Sequence, residues 1–192
     1  MTLLSTGVAC APLAGQASSG DRGVVVEFPG GALVAAIDGL GHGHDASLAA
    51  QEAHLVLEDD PGAPVDELVQ RCHTRLKSTR GAVMTLASFQ RGAMTWVGVG
   101  NVEGMLVRPS GIDAVPMRGG IVGYSLPALV ARRLSVLPGD TLVLATDGIR
   151  HGFRAEVDLR EPQTIADAVL AKFGKPNDDA CVVVARYLGG AA

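Results

Sequence analysis

An uninterrupted apolar run from Ala32 to Ile37 ends on Asp38 and opens into the glycine-rich loop Gly39-Leu40-Gly41-His42-Gly43-His44. A short apolar run of this kind reads as a buried strand. The glycines let the chain turn sharply, because glycine reaches positive φ without steric cost. A helical pattern begins at about Asp45. A carboxylate delivered by a buried strand into a bare loop suits a metal ion or a phosphate. The same residues also read as a strand–turn–helix corner with Asp38 as a helix cap. The choice between these readings rests on the rest of the chain.

At 192 residues and 47% hydrophobic content the chain is long enough to bury a sizeable core, and the expectation is one domain over residues 1–192. The net charge of −4 and a pI near 5.7 argue against nucleic acid or an anionic membrane as partner. No stretch of 18 uninterrupted apolar residues suggests a membrane span. The uncharged N-terminal segment lacks the basic start of a leader and reads as a first strand. Cys10, Cys72 and Cys181 are widely spaced without a CxxC, which predicts reduced, buried thiols and a cytoplasmic setting.

In chain order, Leu3 to Leu13 and Gly23 to Phe28 read as strands, with Pro29-Gly30-Gly31 as a hairpin turn leading into Leu33 to Ile37. That hairpin places Asp21 and Asp38 at the same end of an antiparallel pair. Helices are predicted over Ser47 to Leu57 and from Pro64 to about Ser78. Strands follow over Ala82–Phe89, Met94–Gly100 and Gly104–Arg108. Arg132–Leu137 and Thr141–Ala145 read as a hairpin about Leu137-Pro138-Gly139-Asp140. A helix over Ile165 to Phe173 and a last strand over Ala180 to Leu188 complete the chain. Grouped helices among runs of antiparallel strands predict an α+β fold. Met94 and Trp96 are expected in the sheet core.

Four acidic positions share one pattern. Asp21 precedes a strand, Asp38 and Asp147 each close an apolar strand and are followed by glycine, and Asp178-Asp179 precedes the last strand. An isolated carboxylate at the end of a buried strand is costly unless paired or metal-bound, and several together can share divalent cations. All-oxygen ligation favours Mg²⁺ or Mn²⁺ over Zn²⁺. Two such ions about 3.5–4 Å apart can activate a bridging water against a phosphate.

Ser19-Gly20-Asp21, Asp38-Gly39-Leu40-Gly41-His42-Gly43, Ala145-Thr146-Asp147-Gly148-Ile149 and Asn177-Asp178-Asp179, in this order, resemble the metal-dependent PP2C-type (PPM) protein phosphatases. The SpoIIE-like branch, and within it the small RsbX-like stressosome phosphatases, is the nearest match. The resemblance implies a four-layer α/β–β/α sandwich of two antiparallel sheets flanked by helices. It also implies a site of two Mn²⁺ or Mg²⁺ ions and hydrolysis of phosphoserine and phosphothreonine in proteins. Carried over by motif, Asp38 bridges both ions and is the catalytic position. The Gly39 carbonyl and Asp21 serve the second ion, and Asp147 and Asp178 hold the first, with Asp179 the weaker member of its pair. The implied partners are STAS-domain stressosome scaffolds or an anti-sigma-factor antagonist, and a monomer is the favoured state.

The sequence departs from the family pattern in places. Leu40 stands where larger relatives place a histidine after Asp-Gly, so the proton donor is open between His42, His44 and neither. Gly100-Asn101-Val102 stands where those relatives have an acidic residue linked to a third metal. The short Arg118–Leu129 stretch leaves little room for a substrate flap. Arg22 is a candidate phosphate donor but reads more simply as a solvated side chain. Two rival functions remain at this point: a non-catalytic binding module on a phosphatase fold, and a two-metal hydrolase of small phosphoesters.

Overall fold

The computed structural model describes residues 2–158 and 160–189. Among them, ten strands and three α-helices follow the order β1 (Leu4–Ala11), β2 (Asp21–Phe28), β3 (Gly31–Gly39), α1 (His44–Asp59), α2 (Val65–Arg75), β4 (Ala82–Gln90), β5 (Ala93–Val99), β6 (Glu103–Arg108), β7 (Gly111–Ala114), β8 (Arg132–Ser135), β9 (Thr141–Ala145), α3 (Pro162–Phe173) and β10 (Ala180–Tyr187). They build two five-stranded sheets, ordered β1-β10-β9-β6-β7 and β2-β3-β4-β5-β8, with antiparallel neighbours throughout.

The period-two alternation of β3 explains the layering. Leu33, Ala35 and Ile37 pack under α1 and α2, whereas Ala32, Val34 and Ala36 face the second sheet. A strand covered on both faces needs an apolar residue at every position, and Ala32 through Ile37 are all fully buried. On the other sheet, Val182 and Val184 of β10 pack beneath α3 while Cys181 and Val183 meet the first sheet. The result is the expected four-layer sandwich. Met94 and Trp96 lie in its central layer, at most 1% exposed.

Two expectations are corrected. Arg132–Leu137 and Thr141–Ala145 do not form a hairpin: β8 pairs with β5 in one sheet, and β9 sits between β10 and β6 in the other. Composition gives the reason. Arg132-Arg133 suits an exposed edge, while Thr141-Leu-Val-Leu-Ala145 is fully buried and suits a central strand. The Leu137–Asp140 turn crosses between sheets, closed by the Leu137 amide donating to Asp140 Oδ2 at 3.0 Å and the Asp140 amide donating to the Leu137 carbonyl at 3.0 Å.

The second correction concerns the thiols. Cys10 and Cys181 are partners on one rung of the β1–β10 ladder and are joined as a disulfide, leaving Cys72 as the buried free thiol. Directly opposed residues on antiparallel strands bring their Cβ atoms to about 4.5–5.5 Å. A separation of 171 residues hides that pairing from the sequence. Among the described residues, no helix is long and apolar enough to cross a membrane.

Candidate metal centre

Asp21 and Asp38 are Cα partners at the open end of the β2–β3 hairpin. By the alternation just described, Asp38 shares the face of Ala32, Val34 and Ala36, and Asp21 shares the face of Val25. Both carboxylates therefore lie at one end of the space between the sheets. Arg22, one residue out of phase, falls on the opposite, helix-covered face with Val24 and Val26. It does not line the cavity at this end of the sandwich.

The second sheet supplies the facing wall. Beyond β9, the Thr146 amide donates to the Cys181 carbonyl at 3.0 Å, and the Cys181 amide donates to Thr146 Oγ1 at 2.8 Å. This clasp brings the residues after β9 beside those before β10. Gly148 makes the approach possible, because a Cβ there would overlap the carbonyl oxygen of Asp179. Gly39 plays the same part across the site, where a Cβ would overlap the carbonyl oxygen of Ala46 in α1. Each Asp-Gly pair thus combines a carboxylate with a position where backbone from another element abuts the chain.

A cavity of about 350 Å³ opens among Asp38, Leu40, Gly41, His42, Asn101, Asp147 and Asp178. Asp21 lies deeper, 6% exposed, and its Oδ2 is buried without a hydrogen-bond partner. Burial, opposed by the Thr146 hydroxyl and reinforced by Asp179, Asp147 and Asp178, pushes Asp21 up to about 7. Asp38 is pushed up to about 8, first by burial and then by Asp21, Asp147, Asp178 and Asp179. Asp178 is raised as well, first by burial and then by Asp147. Like charges gathered in a poorly solvated pocket hold protons when no cation is present.

These features fit divalent metal ions. The donors are all oxygen, one buried oxygen is unpartnered, and mutual repulsion is what a cation relieves. Among the described residues, no three His, Cys, Asp or Glu side chains are gathered closely enough to hold an ion as they stand.

The adjacent acids of the last motif divide their labour. Asp179 is 2% exposed, and its carboxylate accepts from the Leu13 amide at 2.7 Å and the Gly20 amide at 2.9 Å. It fastens the segment joining β1 to β2, while Asp178 faces the cavity. His42 lines the cavity too, with its Nδ1 2.9 Å from Gln16 Nε2. His44 begins α1, exposed and away from the cavity lining. The Gly39 carbonyl lies toward Gly20, 3.2 Å from the point where a Cβ on Gly20 would stand.

Sequence reasoning missed Asn101, whose Nδ2 donates to Asp147 Oδ2 at 2.8 Å, and the clasping role of Thr146. Asn101 was visible in the sequence as a departure in a family motif, but its partner lies 46 residues away.

The fold and the sequence are similar to those of known proteins. The phosphoserine phosphatase RsbX of Bacillus subtilis (strain 168) is 31% identical over 94 residues, a stretch covering 48% of this chain and 46% of RsbX. The chain thus matches about half the length of that relative. A crystal structure of RsbX in complex with magnesium superposes with a TM-score of 0.87 at 20% identity, over 96% of this chain and 95% of the other. A structure described as the bacterial stressosome, a modular system adapted to control secondary messenger signalling, gives 0.90 at 29% identity, over 95% and 99% of the two chains. The PP2C phosphatase domain of the Bacillus subtilis cell-fate determinant SpoIIE gives 0.81 at 22%, over 98% of this chain and 64% of that one. The fold is therefore that of the PP2C phosphatases. A family model for stage II sporulation protein E matches residues 29–188, and the chain belongs to the SpoIIE family.

Proposed function

We propose that the protein is a metal-dependent protein serine/threonine phosphatase, with residues 1–192 as one catalytic domain. The observation that carries this reading is the unpartnered, buried Oδ2 of Asp21 beside Asp38, Asp147 and Asp178 at the end of the sandwich. Two divalent ions, Mn²⁺ or Mg²⁺, would be held by Asp21, Asp38, the Gly39 carbonyl, Asp147 and Asp178. When bound, such ions polarise a phosphoryl oxygen and lower the pKa of bound water.

The chain's own residues do the rest. Asp38 and Asp21 must shed their protons to ligate, so the raised pKa values tie occupancy to pH. Asn101 holds one oxygen of Asp147. Asp179 and the Thr146–Cys181 clasp fix the segments that carry the ligands. Likeness to RsbX, a phosphoserine phosphatase, supports a phosphoprotein substrate. Likeness to a stressosome structure supports STAS-domain stress-signalling proteins, or an anti-sigma-factor antagonist, as that substrate.

The test is phosphate release from a phosphoserine peptide with Mn²⁺ or Mg²⁺ supplied. Asp38→Asn and Asp147→Asn should each cost more than the roughly 10–100-fold typical of losing an outer-shell partner. Activity that persists in EDTA, or in both variants, would overturn the reading.

A further inference from the structure

A second cavity, of about 490 Å³, begins where the first ends. It shares Asn101 and Asp147 with the metal-centre cavity and continues past Val115, Met117, Ile149, Arg150 and Lys175. Its volume exceeds that of the cavity holding the carboxylates, so a phosphate at the metal centre would leave it unfilled.

We propose that this groove binds the polypeptide segment flanking the phosphoresidue, selecting substrates with an apolar side chain next to it and an acidic one beyond. The proposal rests on the phosphatase reading above and names the substrate class of that site.

Continuity fixes the occupant. A phosphoserine reaching Asp147 from solvent carries its own neighbours, and the trough that starts at Asp147 and Asn101 is the extension of the same opening. The floor is apolar, since Val115 and Ile149 line the groove and are 6% and 4% exposed. Met117 stands at its edge, 55% exposed. An exposed, unbranched thioether beside an apolar trough is an adaptable contact for a partner's side chain. A small phosphoester would leave that apolar surface in water, whereas a peptide covers it.

Charge narrows the choice. Arg150 and Lys175 line the groove, while its acid beyond Asp147 is Glu103, which already faces His151 at 3.4 Å. The Arg150 guanidinium is held by donating to the Lys172 carbonyl at 2.7 Å, which fixes its place at the rim. A segment carrying an acidic residue past the apolar one meets complementary charge, and a lysine there meets repulsion.

Phosphoserine peptides differing in the two flanking positions, with p-nitrophenyl phosphate as internal reference, test this. The full chain with Mn²⁺ should prefer leucine over glycine or lysine beside the phosphoserine by about tenfold in kcat/KM, the range set by an apolar pocket. Met117→Lys, at an exposed position, should erase that preference, lowering the ratio of leucine-peptide to aryl-phosphate kcat/KM about tenfold. Arg150→Glu should invert the choice between acidic and basic residues further along. No flank preference in the wild type, or a preference that survives Met117→Lys, overturns the groove while leaving the phosphatase reading intact. If the wild type hydrolyses neither peptide nor aryl phosphate with either metal, the phosphatase reading fails and the groove assignment falls with it.

Discussion

Asp21 and Asp38 face each other across the last rung of the β2–β3 hairpin, and each carries a carboxyl group whose pKa is raised, to about 7 and about 8. A direct consequence is an inverted pH response in the metal-free protein. Both groups hold protons in the native state that the unfolded chain releases near its ordinary value of 3.8. Native stability is therefore complete below about pH 4, falls as pH rises through 7 and 8, and levels off above that. Bound metal demands deprotonated carboxylates, so its affinity rises over the same window. Thermal melts in EDTA should show Tm declining from pH 5 to 9, with the gain from added Mn²⁺ growing over that range. A metal-free Tm that climbs from pH 5 to 8 would contradict this placement of the two acids.

Asp178 and Asp179 are neighbours in sequence with separable roles. Asp179→Asn keeps one acceptor for the Leu13 and Gly20 amides but sets an amide group against the other. Leaving a buried donor unsatisfied costs about 1–3 kcal/mol, so this variant should be measurably less stable in urea. Asp178→Asn relieves repulsion from Asp147 and leaves the Leu13 and Gly20 anchors of Asp179 untouched. It should retain stability without metal and lose Mn²⁺ affinity in calorimetry. Equal effects of the two substitutions on both readouts would refute the division.

Most of this architecture was legible because the apolar pattern is strong. Ala32 through Ile37 are apolar at every step, which matches a strand covered on both faces, and Asp38 marks where that cover ends. The coincidence of Asp21 with Asp38 followed from hairpin geometry alone, since a two-strand unit joined at Pro29-Gly30 fixes its own register. What stayed hidden depends on which sheet a strand joins. The turn at Leu137–Asp140 looks local, yet β8 and β9 go to different sheets. Cys10 and Cys181 meet through pairing of the first and last strands. The contact of Asn101 with Asp147 likewise exists because β6 pairs with β9: Glu103 sits opposite Ala145, and the same antiparallel register two residues further out sets Asn101 opposite Asp147.

That contact has its own signature. Asn101 donates to Oδ2 of Asp147, leaving the other oxygen free to ligate. Asn101→Ala should weaken Mn²⁺ binding by about 10–100-fold, the usual cost of an outer-shell partner. Because Asn101 is exposed, the variant should unfold at nearly the wild-type denaturant midpoint. Calorimetric titration separates this from a merely structural role, which would shift the midpoint and spare affinity.

Gly148 offers the strictest geometric prediction. Its flanking residue Asp147 faces the cavity, while the glycine itself is pressed against the Asp179 carbonyl, so that a Cβ has no space. Neither neighbour is a flexible side-chain tip that could swing aside. The Lys175 amide also donates to the Gly148 carbonyl at 2.8 Å, tying this turn to the segment after α3. Gly148→Ala must therefore push the turn after β9 away from the start of β10, stretching the Thr146–Cys181 clasp and separating Asp147 from Asp178. Overpacking of this kind costs about 1–3 kcal/mol, and the site should suffer with it. The expected result is a lower urea midpoint together with reduced Mn²⁺ affinity in one variant that alters no ligand. Gly30→Ala serves as the control: its Cβ would meet nothing within 4 Å. Its φ of +82 still imposes strain, so it too should lose stability, but with metal affinity intact. Loss of affinity in the Gly30 variant, or its preservation in the Gly148 variant, would break the link between this close approach and the convergence of the carboxylates.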